Sequence, residues 1–294
     1  MPCYKPRVVT RNGYKSNGKS NISFDITKGG EKIVIQCGQC IGCRLDRSRQ
    51  WAIRCVNEAR QFEKNCFITL TYKDMPENNS LNKRDFVLFM KKLRKEFGSG
   101  IRFFHCGEYG ENLGRPHHHA CIFNHDFADK KFYELSKGGE KLYTSEMLNT
   151  LWGHGYAIVG SVTWESAAYV ARYVTKKITG SKAHEHYGNR VPEYLTMSNR
   201  PGIGRFYYDN YFNDMYPYDE IVMRNGKSFK PPKYYDRLLE RDNPEALLTI
   251  KQKRQEEIDK KPTTSFKRLS DKEQSKKLQL KQLMRGYENE NEHL

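Results

Sequence analysis

Two runs rich in β-forming residues, Ile101–Tyr109 and Arg115–Asn124, flank the short loop Gly110-Glu-Asn-Leu-Gly114, and this spacing constrains the fold more than any other feature of the chain. A short polar loop with glycine at both ends suits a hairpin, so the two runs are expected to pair antiparallel. A loop centred between Asn112 and Leu113 sets the register. It brings Glu108 directly opposite His117, with Cβ atoms about 4.5–5.5 Å apart. Side chains alternate along a strand, so His117 and His119 share one face, about 6.5–7 Å apart along the chain, and His118 turns to the other.

The segments around the hairpin set the fold class. Apolar spacing predicts helices over Leu45–Lys64, Leu81–Phe97, Ser145–Trp152 and Trp164–Ile178, and strands over Cys66–Tyr72 and Tyr156–Val162. The order strand, helix, hairpin, helix, strand, helix predicts an α+β domain, an antiparallel sheet with helices against one face. Four segments are expected: a Cys-rich N-terminal segment and helix over 1–62, a core over 63–180, an aromatic-rich extension over 181–235 and a charged, partly helical or disordered tail over 236–294. Within 1–36 only one short strand, Lys32–Gln36, is expected, and Arg224-Asn225-Gly226-Lys227 suggests a further hairpin turn.

Two constellations carry chemistry. Glu108, His117 and His119 offer one carboxylate and two imidazoles on one face, a set that suits Mg²⁺ or Mn²⁺ beside a phosphate and also accepts Zn²⁺. Ordinary hydrogen bonding within a core is the alternative account of the same residues. In Tyr169-Val-Ala-Arg-Tyr173-Val-Thr-Lys176, helical periodicity puts Tyr169, Tyr173 and Lys176 on one face, and Ala167, Val170, Ala171, Val174 and Ile178 on the other. A phenol with a pKa near about 10 is a weak nucleophile, so a cation on the scissile phosphate and Lys176 beside the attacking oxygen would ease its attack. Two tyrosines one turn apart would allow successive transfers. Tyrosines flanking a core would look the same.

Phe67-Ile-Thr-Leu-Thr-Tyr72, Pro116-His-His-His119 and Tyr169-Val-Ala-Arg-Tyr-Val-Thr-Lys176, in this order, resemble the three motifs of HUH-type rolling-circle replication initiators, in particular those of the gokushovirus group of small single-stranded DNA phages. The run Cys37–Cys43 with Arg44-Leu45 and Ser48-Arg-Gln-Trp51 adds to the likeness, which spans most of residues 1–180. The resemblance implies a ferredoxin- or RRM-like HUH core, His117, His119 and Glu108 as metal ligands, and Tyr169 and Tyr173 as nucleophiles. It also implies nicking of single-stranded origin DNA, a 5′-phosphotyrosine link, a free 3′ hydroxyl, and host replication proteins as partners. His118 departs from the pattern, whose middle position is usually hydrophobic or aromatic.

Cys37, Cys40 and Cys43, with Cys3 as a fourth, supply enough thiolates for a closed structural zinc site; reduced, partly buried thiols are the plain alternative. The formal net charge of +16 and a pI near 9.4 point to a polyanion. Nucleic acid is the first candidate, since no run of about 18 apolar residues is present and Met1-Pro-Cys-Tyr-Lys-Pro6 lacks the apolar region of an export signal. The cytoplasm of a bacterial host is the expected location, with no membrane partner. Between 187 and 218, tyrosines and phenylalanines interleave with Arg190, Arg200 and Arg205, as in a stacking platform for unpaired bases or as in ordinary packing. Three other functions compete: a plasmid relaxase or transposase of the same chemistry, a nuclease using metal-bound water, and a non-catalytic, zinc-containing DNA-binding protein.

Overall fold

A computed structural model describes residues 3–14, 20–27, 29–110, 113–136, 138–178, 180–223, 226–260 and 264–282, without the side chains of 173–176, 182 and 281. Two compact units form, one from Met1–Arg47 with Lys261–Leu283 and the other from Ser48–Lys260. In the smaller unit, β1 (Arg7–Tyr14), β2 (Ser20–Ser23) and β3 (Glu31–Ile35) make an antiparallel sheet of order β2-β1-β3. Sequence reading foresees only the last of these. Strand β2 is only four residues long, and β1 mixes arginines with valines, so its strand character comes from pairing and not from an apolar period. Helix α1 (Ile41–Ala59) begins in this unit and continues into the larger one.

The larger unit is built on β4 (Asn65–Tyr72), α2 (Lys83–Phe97), the hairpin β5 (Arg102–Tyr109) and β6 (Pro116–Phe123), the hairpin β7 (Lys131–Leu135) and β8 (Lys141–Thr144), α3 (Glu146–Trp152), β9 (Gly155–Gly160) and α4 (Trp164–Lys176). A short helix α5 (Lys182–Tyr187) leads to β10 (Tyr194–Met197). Then come α6 (Arg205–Met215), the two-residue strands β11 (Ile221–Val222) and β12 (Ser228–Phe229), α7 (Lys233–Asp242) and α8 (Pro244–Asp259). Strands β11 and β12 pair antiparallel, while Arg224 and Asn225 of the expected turn lie outside the described residues. Seven strands form one antiparallel sheet in the order β10-β5-β6-β4-β9-β8-β7. The fold is therefore α+β, as the element order predicts.

The expected single helical layer needs correction, because helices cover both faces. Cys66, Ile68, Leu70 and Tyr72 of β4 pack with Phe86, Phe89 and Leu93 of α2 and with Leu148 and Trp152 of α3. On the other face Phe67 packs with Ala52 and Cys55 of α1 and with Ala167, Val170 and Ala171 of α4. All eight residues of β6 are buried as a result, the pattern of a strand covered on both sides rather than one facing water. Residues 236–260 of the charged stretch are mostly helical, and Tyr235, Leu238 and Leu239 pack with Leu247 and Ile250. Further along, α9 (Phe266–Gln282) belongs to the smaller unit, where Leu269 packs against Tyr4, Cys40 and Cys43. None of the described helices is long and apolar enough to cross a membrane.

Candidate active site

Strand register assembles the site on the α1/α4 face of the larger sheet. Glu108 is the cross-strand partner of His117 between β5 and β6, and Thr69 of β4 is that of His119. The His117 and His119 rings lie 6.3 Å apart at an interplanar angle of 21°. His119 Nε2 contacts Glu108 Oε1 at 2.8 Å, and its Nδ1 meets Thr69 Oγ1 at 3.0 Å, so both ring nitrogens are held. Phe67 stacks on the same ring at 5.9 Å. Added to Gly110, a Cβ would come 3.3 Å from His117 Cε1, so glycine leaves room beside that ring.

Tyr169 arrives from α4. This helix starts with a reciprocal cap: Thr163 N donates to Ser166 Oγ, and Ser166 N donates to Thr163 Oγ1. Ala167, Val170 and Ala171 seat it on the sheet. Helical spacing suggests that Tyr169 projects away from this apolar stripe. Instead it is part of the same buried cluster, edge-on to Phe67 at 6.4 Å and to His119 at 5.1 Å. Its hydroxyl donates to Glu108 Oε1 at 3.1 Å. An amphipathic stripe only about 100° wide is too narrow a criterion for a helix whose neighbours reach around it. The Tyr173 and Lys176 side chains lie outside the described residues, although both positions fall within α4.

The four side chains are almost fully buried, Tyr169 being 3 % exposed. Burial pushes the His117 imidazole down to about 4, helped by neighbouring His119 and opposed by Glu108, so His117 is neutral near pH 7. Its Nε2 is buried without a hydrogen-bond partner. A buried nitrogen lone pair of this kind is what a cation would satisfy, and with His119 and Glu108 it makes an N, N, O donor set. The donors are not drawn together, however. Among the described residues only the four cysteines bring three or more such atoms within 4.8 Å of one another.

His118 lies on the opposite face within a directed chain of hydrogen bonds. Tyr72 donates to Asp85 Oδ2 at 2.8 Å, which leaves His118 Nε2–H to donate to the Tyr72 oxygen at 2.9 Å. His118 Nδ1 then accepts from His105 Nε2 at 3.1 Å, and His105 Nδ1 accepts from Thr196 at 2.7 Å. This assignment is the one consistent with neutral rings, and burial pushes both down, His118 to about 3 and His105 well below its usual value. The histidine that departs from the motif pattern is thereby accounted for as a partnered core residue. Thr69 escapes sequence reading as a site residue. Its place in the Phe67–Tyr72 motif is a signal, but its contact with His119 depends on pairing with a residue 50 positions away.

In the smaller unit, the sulfurs of Cys3, Cys37, Cys40 and Cys43 all lie within 4.8 Å of one another. Three of the separations are 3.6, 3.9 and 4.0 Å, against about 3.8 Å for a tetrahedron with metal–sulfur bonds of about 2.3 Å. Backbone amides surround them: Tyr4 N donates to Cys40 Sγ, Cys37 N to Cys3 Sγ, and Gln39 N and Cys40 N to Cys37 Sγ, at 3.2–3.4 Å. Burial raises the Cys40 thiol, but backbone donors from Cys43 and Tyr4 outweigh it and bring the group to about 7. Burial keeps Cys43 high.

The chain matches the family described as replication-associated protein ORF2/G2P over residues 65–178, from β4 through α4. It is 33% identical to the replication-associated protein VP4 of Bdellovibrio phage phiMH2K over 258 residues, covering 84% of this chain and 80% of the relative. It is 35% identical to the replication-associated protein ORF2 of Spiroplasma virus 4 over 264 residues, 82% of this chain and 81% of the relative. With the replication-associated protein ORF4 of Chlamydia phage 1 it shares 32% identity over 215 residues, 70% of this chain and 53% of that protein. No solved structure matches it.

Proposed function

Because the chain belongs to the phage replication-associated protein family, we propose that it starts rolling-circle replication in the cytoplasm of the bacterial host by nicking single-stranded origin DNA through a tyrosine. The observation that carries this reading is the contact of the Tyr169 hydroxyl with Glu108 Oε1 beside the His117–His119 pair. The phenolic oxygen attacks the scissile phosphorus, the bond to the 3′ oxygen breaks, and the 5′ end stays on the protein as a phosphotyrosine. Glu108 is the acceptor for the phenolic proton. The departing 3′ oxygen takes up a proton and becomes the hydroxyl from which host replication proteins extend. Tyr173, one turn along α4, would serve the second transfer that religates the strand, with Lys176 supplying charge.

His117, His119 and Glu108 would hold a divalent cation, Mg²⁺ or Mn²⁺. Such an ion supplies positive charge that offsets the phosphate's own and stabilises the crowded transition state. Thr69 orients His119 by holding Nδ1, and burial keeps His117 neutral, so its lone pair is available near pH 7. The four cysteines would take a structural Zn²⁺. What supports this is their near-tetrahedral spacing and the amide donors to sulfur, which favour thiolates.

The test is to incubate the protein with single-stranded origin DNA and Mn²⁺ and look for an adduct that survives denaturant. An adduct that forms with the wild type and disappears in Tyr169→Phe/Tyr173→Phe supports the assignment. One that persists in the double variant rejects both nucleophiles.

A further inference from the structure

The smaller unit contains a charged groove of about 580 Å³ that the nicking chemistry leaves unused. Lys5, Arg7, Gln39, Arg44 and Lys277 line it, with Glu273 among them. Lys5, Arg7 and Lys277 are exposed, while Glu273 is buried. Lys5 Nζ lies 3.5 Å from Glu273 Oε2 and Lys277 Nζ lies 3.8 Å from Oε1, so a single carboxylate gathers two ammonium groups from opposite ends of the chain. Cys37 and Cys40 border the same groove. Their quartet, together with Leu269, therefore sets where α9 and its Lys277 lie relative to Lys5 and Arg7.

Three exposed cations, Lys5, Arg7 and Lys277, against one carboxylate in an open groove attract a polyanion. None of the described lining residues is aromatic, so the groove has no platform on which a base could stack. Lysine and arginine without stacking partners read phosphates, which carry no sequence information. We propose that this groove is a second contact site for the phosphodiester backbone of single-stranded DNA, formed by the smaller unit alone and indifferent to sequence. The proposal rests on the reading of DNA as substrate and deepens it: the groove adds affinity, while the histidine–tyrosine centre performs the chemistry. Linked sites of this kind raise affinity for a long strand without altering the reaction at either one.

The experiment uses the full chain carrying Tyr169→Phe, without added divalent metal, and follows the anisotropy of a labelled oligothymidylate across a salt series. The combined change Lys5→Glu/Arg7→Glu/Lys277→Glu is expected to weaken binding at least about tenfold at low salt. It should also flatten the slope of log affinity against log salt by about 2, at about 0.7 for each single-strand phosphate that is no longer neutralised. The charge-keeping exchange Lys5→Arg/Arg7→Lys/Lys277→Arg should bind like the parent. In protein that retains Tyr169, the charge-reversed groove should raise KM for origin cleavage and leave kcat unchanged. An unchanged affinity and slope would overturn the proposal, as would an equal loss in the charge-keeping exchange or equally effective competition by polyglutamate. Groove-dependent binding by a wild type that never nicks would count against the nuclease reading alone.

Discussion

The Tyr169 hydroxyl and the His119 ring converge on the same atom, Glu108 Oε1, at 3.1 and 2.8 Å. A helix residue 61 positions from Glu108 thus meets the two strands of one hairpin at a single carboxylate oxygen. Glu108→Gln keeps the shape and loses the charge. Nicking of single-stranded origin DNA is expected to fall by about 100-fold or more, because the amide removes both the acceptor for the phenolic proton and the anionic ligand for the cation, with an unchanged urea midpoint showing that the fold survives.

Thr69→Val removes the group that holds His119 Nδ1 at 3.0 Å and keeps the side-chain shape. With that constraint gone, calorimetric titration with Mn²⁺ should show affinity weakened by about 10- to 100-fold. Equal affinity in the two proteins would mean that His119 is oriented without Thr69.

His118 is held down to about 3 in the folded chain by burial, against about 6.5 when unfolded. The unfolded chain therefore binds the proton more readily between these values. Stability from this group is complete above pH 6.5 and is lost as pH falls toward 3, at up to about 1.4 kcal/mol per pH unit. Urea unfolding at pH 7, 6 and 5 should show this decline, added to that from His105 and His117. Replacing His105 and His118 together by phenylalanine should flatten the profile. Replacing His118 alone should destabilise more than the pair, because it leaves the His105 Nε2–H in the core without its acceptor.

Purified protein is expected to carry about one zinc per chain, as a closed four-thiolate site requires. Cys43→Ser should lose the metal by elemental analysis and expose α9 to limited proteolysis, since Leu269 packs on this cluster. Full zinc content in the serine variant would remove Cys43 from the ligand set.

Much of the site's local order follows from the sequence. The Glu108–His117 register comes from loop length and a strand period of two, and the α4 helix comes from apolar spacing, because covalent geometry sets both repeats over a few residues. Pairings between distant segments could not be read this way. Thr69 meets His119 because β4 lies beside β6, Tyr169 turns inward because α1 and α4 cover the second face, and β1 and β2 become strands only by pairing. The charged C-terminal stretch is the extreme case. Nothing in the spacing around Leu269 or Glu273 announces that helix α9 packs against Cys40 and Tyr4, near the other end of the sequence. Such contacts depend on which surfaces remain to be covered once the local elements have formed, so tertiary packing alone decided them.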